Sequence, residues 1–216
     1  MNASRKKMVF YLVLFALLGG MLTIPFVWES PSMYYKTGLD RFLLRAGKMA
    51  GILAAVLLML QPLMVMRSGL TDRLMALADR FRFHRKNALV LFGFALAHPI
   101  LVLWADGFSL FRLEWRYWPE MAGLLLLFLL LLVIITSLVQ QKGVIRREPW
   151  LAAHRFLAPI SLLILFLHIY NVSKSFQSDL PFYILAVLAV LVLCTFTYTW
   201  GRWIRPSRTE DPAGAG

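Results

Sequence analysis

Four histidines, His84, His98, His154 and His168, are the only ones in the chain, and their spacing is what could do chemistry. His84 and His98 are 14 residues apart, and so are His154 and His168. In an α-helix 14 residues is close to four whole turns, about 21 Å of rise, so each pair lies on one helical face. All four fall in strongly apolar stretches, where an ionisable side chain is costly and marks a functional site. If the two carrier helices run the same way, His84 is level with His154 and His98 with His168. Two imidazoles facing each other at one depth are the arrangement that clamps a haem iron from both sides, and bundle interiors hold such cofactors on facing helices. A bare metal-ion site fits less well, because each level offers two imidazoles and no cysteine or carboxylate.

The residues between the histidines suit a flat macrocycle. Ala88, Leu91 and Ala95 share the face of the first pair, and Ala158, Ser161 and Leu165 that of the second; small residues there also favour close helix packing. Each leading histidine is followed by an arginine, Arg85 or Arg155. These guanidiniums suit the haem propionates and also fit the bias of basic residues towards the cytoplasm. The single cysteine, Cys194, excludes an internal disulfide and any cysteine-based cluster, and is expected to be a small packing residue.

The elements that must position these residues are membrane spans. The chain has 216 residues, 60% hydrophobic, with a mean hydropathy of +0.68, well above soluble domains. Stretches long enough to cross a bilayer run at about Met8–Val27, Gly47–Met66, Phe83–Trp104, Met121–Val139, Leu151–Tyr170 and Leu180–Trp200. The fold expected is an all-α, six-transmembrane-helix bundle, residues 1–200, with a disordered tail at 201–216. The first stretch follows Arg5-Lys6-Lys7, as a signal peptide would, but it is long for one and no cleavage motif follows it. The net charge is +12, yet the basic residues sit in short runs between apolar segments, which signals topology and not nucleic-acid binding. With the N-terminus inside, 16 lysines and arginines lie on the inner side and 7 on the outer, so both termini are expected to be cytoplasmic. Gly69 to Phe81 has helical apolar spacing and reads as an amphipathic inner-surface segment. Asp106 to Glu120 carries Trp115, Tyr117 and Trp118 beside Arg112 and Arg116, an interfacial belt. No repeat of the solenoid type is visible.

Three segments, Leu60-Gln61-Pro62, then His84-Arg85 through Ala97-His98-Pro99, then Ala153-His154-Arg155 through Leu167-His168, resemble the ferric reductase-like transmembrane domain shared by ferric reductases and NADPH oxidases. The similarity covers roughly Gly47 to Tyr170. It implies two b-type haems stacked across the bilayer, one held by His84 and His154 near the inside, the other by His98 and His168 near the outside. Electrons would enter from the cytoplasm and leave at the outer face, for a ferric chelate, oxygen or a periplasmic redox protein. Many members add a flavin and nicotinamide domain, whereas here 16 residues follow Trp200 without a glycine-rich fingerprint. The donor expected is therefore a cytoplasmic flavoprotein reductase or a membrane quinol, and the setting a bacterial inner membrane. The haem subunit that feeds a periplasmic methionine sulfoxide reductase is also similar in length, but its pattern lacks the first histidine. A non-redox transporter or assembly factor is the alternative from another class. It would want carboxylates or broken helices inside the spans, and the apolar stretches contain no aspartate or glutamate.

Overall fold

The computed structural model describes residues 3–66, 69–108 and 114–204. The helices are α1 (Ala3–Leu22), α2 (Ile24–Val27), α3 (Gly38–Val65), α4 (Gly69–Leu74), α5 (Leu77–Ala105), α6 (Trp118–Gln141), α7 (Arg147–Val172) and α8 (Asp179–Ile204). Short 3-10 turns cover Pro31–Met33, Trp115–Tyr117 and Lys174–Phe176, and no strand occurs among the described residues. Among the described residues six helical segments are long and apolar enough to cross a membrane, α1 and α2 together making one of them. Helices suit hydrocarbon because every backbone donor and acceptor is satisfied within the segment. Phe15, Phe128, Leu163 and Leu193 are each more than 60% exposed, which is what lipid as the solvent allows. Met21, Val56, Leu91, Leu126, Leu162 and Leu165 are buried together inside the bundle.

Two antiparallel pairs dominate the packing, α3 on α5 and α6 on α7. Small residues make the first pair close. A Cβ on Gly47 would stand 2.8 Å from Val102 Cγ2 and 3.2 Å from the Val102 backbone nitrogen. By contrast α5 and α7 are not extensively packed on each other. The starts of α1 and α5 are joined by the Lys7–Asp79 ion pair at 2.7 Å, and Trp200, late in α8, meets Phe156 of α7 at 5.9 Å. These contacts define one end of the bundle, here the termini end. The far end is tied by Lys36, which donates to the Ala105 carbonyl at 2.8 Å and pairs with Asp106 at 3.0 Å. There Glu29 also receives both Arg41 and Arg45.

The helices depart from the apolar stretches in instructive ways. Helix α3 starts at Gly38 rather than Gly47, because Arg41 and Arg45 in its polar extension are neutralised by Glu29. The first span is broken at Thr23, two residues before Pro25, which has no N–H to donate back to the Met21 carbonyl; Thr23 Oγ1 donates to the Gly20 carbonyl at 2.7 Å. The amphipathic stretch is not one helix, for α4 ends at Leu74 and α5 begins at Leu77. The side chains of Leu70 and Leu74 lie outside the described residues, as do Arg67, Arg112 and the tail from residue 205. Cys194 is exposed on α8 rather than packed. Arg80, one of the 16 basic residues assigned by sequence to the inner side, is 1% exposed. It donates to the Met66 carbonyl at 2.6 Å and pairs with Asp72, so it holds the α3–α5 connection from inside.

Replacing Arg80 with Met removes the ion pair of Asp72 and one of two side-chain donors to the Met66 carbonyl, the other being Thr71 Oγ1 at 2.8 Å, and should cost about 1–3 kcal/mol, read as a lower melting temperature of the detergent-solubilised protein. Arg82→Met, at an exposed neighbour, should stay within about 0.5 kcal/mol of the parent.

Candidate cofactor-binding site

Helices α5 and α7 run parallel and bring the four histidines together in two levels. At the termini end the ring centres of His84 and His154 are 6.3 Å apart, with planes at 74°. At the far end those of His98 and His168 are also 6.3 Å apart, at 79°. Both pairings follow the spacing argument. Arg85 and Arg155 are exposed at the termini end, each one residue beyond its histidine.

Each far-end ring is fixed from behind by the helix packed on its carrier. His98 Nδ1 lies 2.8 Å from the Gly47 carbonyl of α3, and His168 Nδ1 2.8 Å from the Pro119 carbonyl of α6. A carbonyl only accepts, so Nδ1 carries the proton in both rings and Nε2 keeps its lone pair. The second ring nitrogen is thus free to ligate, and its basicity is raised by the bond behind it.

A helical carbonyl already accepts from the N–H four residues on. Its second lone pair is normally covered, because Cα–Cβ bonds tilt towards the helix N-terminus and the side chain at i+4 lies over it. Here the residues at i+4 are Gly51 and Gly123. A Cβ on Gly51 would stand 2.8 Å from His98 Nδ1, and one on Gly123 would stand 2.5 Å from His168 Cε1. Only glycine lets the imidazole reach the carbonyl at either place.

The termini end lacks this device. Gln61, 14 residues beyond Gly47 on α3, turns its backbone carbonyl towards His84. The residue at i+4 is Val65, and His84 Nδ1 makes no regular hydrogen bond. On α6 the matching position is Val133, whose carbonyl accepts from Ser137 Oγ at 2.6 Å and Thr136 Oγ1 at 3.1 Å. His154 Nδ1 is likewise without a partner, and its ring stacks on Trp150 at 5.2 Å and 29°. The side-chain amide of Gln61, Nε1 of Trp150 and Oγ of Ser161 are buried without partners as well.

A cavity of about 600 Å³ lies against the far-end pair, walled by His98, His168, Gly51, Ala54, Ala95 and Gly123. That is within the range of pockets that enclose small molecules and cofactors. Lys48 and Glu120 also line it.

Residues 50–165 match the family model described as ferric reductase like transmembrane component. The chain belongs to that family. Neither a comparison with curated proteins nor one with solved structures finds a match. Ferric reductase-like domains are generally haem-binding membrane domains, so this is an integral membrane protein whose family points to transmembrane redox chemistry. The matched stretch contains His84, His98 and His154 and stops just before His168.

Sequence reasoning reached the histidines and missed their supports. The signal was present as a short internal repeat: Lys48-Met49-Ala50-Gly51 and Glu120-Met121-Ala122-Gly123 lie 47 and 45 residues before His98 and His168, counted from each glycine. The α3–α5 and α6–α7 hairpins thus present the same carbonyl, glycine and histidine to the same gap.

Gly123→Ala should cost about 1–3 kcal/mol by overpacking and break the bond to Pro119. Gly93→Ala is the control, since nothing lies within 4 Å of a Cβ there. Melting temperatures should fall only for the first, and ¹⁵N NMR of the imidazoles should show the altered tautomer.

Proposed function

We propose that this protein carries single electrons across the membrane through two b-type haems, one between His84 and His154, the other between His98 and His168. The observation that supports it most is the equal 6.3 Å separation of ring centres at both levels. An imidazole nitrogen sits about 2 Å from a first-row metal ion, so two rings on opposite sides of one ion have centres about 6 Å apart. The far-end tautomers, with Nε2 free to ligate, fit an iron in the gap. So do the 600 Å³ cavity and the absence of extensive α5–α7 packing.

When bound, haem supplies reversible one-electron exchange at iron. The chain does the rest. Gly47 and Pro119 orient the far-end imidazoles and hold their protons on Nδ1. Trp150 braces His154 by stacking. Leu91, Leu162 and Leu165 keep the space between the levels dry. The 14-residue spacing on α5 and α7 fixes the two levels about 21 Å apart along each helix. Arg85 and Arg155 stand where the propionates of the termini-end haem would meet solvent.

The bias of basic residues supports a cytoplasmic termini end, with a flavoprotein reductase or a membrane quinol as donor there. The acceptor acts at the far end and is a ferric chelate, oxygen or a periplasmic redox protein, the membrane being a bacterial inner membrane.

Purified protein should hold two haems per chain with a b-type reduced-minus-oxidised spectrum, and His98→Ala and His84→Ala should each lower the ratio to about one. One haem in the parent would instead favour the single-domain subunit that feeds a periplasmic reductase. No haem after expression with ample supply would return the chain to the non-redox class.

A further inference from the structure

The two hairpins carry opposite charges at the same repeat position. Lys48 follows the carbonyl that holds His98, and Glu120 follows the carbonyl that holds His168; both line the far-end cavity. Their partners differ. Lys48 Nζ donates to the hydroxyls of Ser30 and, at 3.2 Å, Ser32, and those hydroxyls are 2.8 Å from each other. Among the described residues no carboxylate forms an ion pair with Lys48, since Glu29 nearby is taken by Arg41 and Arg45. Two other lysines line the cavity. Lys36 is neutralised by Asp106, and Lys174 is exposed and bonds Gln177 at 3.3 Å. Across the cavity Glu120 Oε2 is buried without a hydrogen-bond partner.

A cation held only by hydroxyls at the rim of an apolar cavity is a receptor for an anion. We propose that Lys48, with Ser30 and Ser32, binds a carboxylate at the far-end cavity, and that Glu120 on the matching position repels it from the opposite side. The charge pair gives the cavity a polarity that its two like hairpins otherwise lack, so an anionic group enters one way round. Two sources supply such a carboxylate: a propionate of the far-end haem, which rests on the function proposed above, or an acceptor chelate such as ferric citrate.

The experiment compares the full chain with Lys48→Gln, Lys48→Arg and, as control, Lys174→Gln. It measures haem content, both midpoint potentials without acceptor, and citrate binding by calorimetry. A cation beside a propionate disfavours the ferric state, so with a propionate bound Lys48→Gln should lower the far-end midpoint, identified as the one lost in His98→Ala. The shift expected is about tenfold in the redox equilibrium, or about 59 mV for one electron. Lys48→Arg should keep the parent value, and Lys174→Gln should not move it. An unshifted midpoint with citrate binding at least tenfold weaker in Lys48→Gln assigns the receptor to the chelate. A parent without haem overturns the haem reading, while the citrate comparison still decides for or against Lys48. Potentials and citrate binding both unchanged in Lys48→Gln overturn the proposal.

Discussion

The arrangement depends on one interaction made twice: a backbone carbonyl of one helix accepting the Nδ1 proton of an imidazole on the next. Gly47 to His98 and Pro119 to His168 are each 2.8 Å. A carbonyl inside a helix has a spare lone pair but seldom room for a ring to reach it, so the contact requires glycine one turn later. Once Gly51 and Gly123 open that approach, the depth of α5 against α3 and of α7 against α6 is fixed. The tautomer is fixed with it, and Nε2 is left as the nitrogen with a free lone pair. Close packing, register and the imidazole tautomer therefore come from the same contact.

Because the contact sits in two hairpins of like design, the bundle has a local two-fold character around the far-end pair. Such a layout suits a flat cofactor with a ligand from each side, and it gives α5 and α7 reason to stay apart while their outer neighbours pack tightly. The loops break the likeness. Lys36 locks the approach to α3 onto the end of α5, whereas the turn before α6 carries the exposed Trp115. The repeat position after each carbonyl carries lysine in one hairpin and glutamate in the other, so the charge around the cavity is asymmetric although the backbone around it is not.

Much of this was legible in the sequence, for physical reasons. The bilayer imposes a length on every span, so the count of six follows from hydropathy. A separation of 14 residues is nearly a whole number of turns, so the pairing of the histidines by depth and face follows from their numbers alone. The supports were not legible in the same way, because a hydrogen bond to a backbone carbonyl leaves no side-chain signature. Gly51 and Gly123 look like any small residue of a membrane helix until a ring is placed against them. The true start of α3 was hidden because its first turns are polar and held by Glu29, outside any hydropathy window. Arg80 carries the same letter as a surface arginine, and only its partners, the Met66 carbonyl and Asp72, reveal a buried clasp. Cys194 was misplaced because an apolar neighbourhood in the sequence does not say which side of a helix faces lipid.

The two levels differ in how their polar atoms are satisfied, and the cause is a single position per hairpin. Where i+4 is glycine, Nδ1 is bonded to the carbonyl; where it is Val65 or Ser137, Nδ1 has no partner. In hydrocarbon an unpaired polar group costs far more than in water, so the termini-end level is the less stabilised of the two as the chain stands alone. The Gln61 amide, Trp150 Nε1 and both Nδ1 atoms there are groups that gain from a bound partner or trapped water. Ring orientation at that level rests on packing and on the Trp150 stack, which constrain a plane but leave the tautomer open. A level held by packing can adjust to what docks beside it. One held by backbone hydrogen bonds keeps its ligands oriented whatever lies outside. On the function proposed, the adjustable level faces the donor and the rigid one the acceptor.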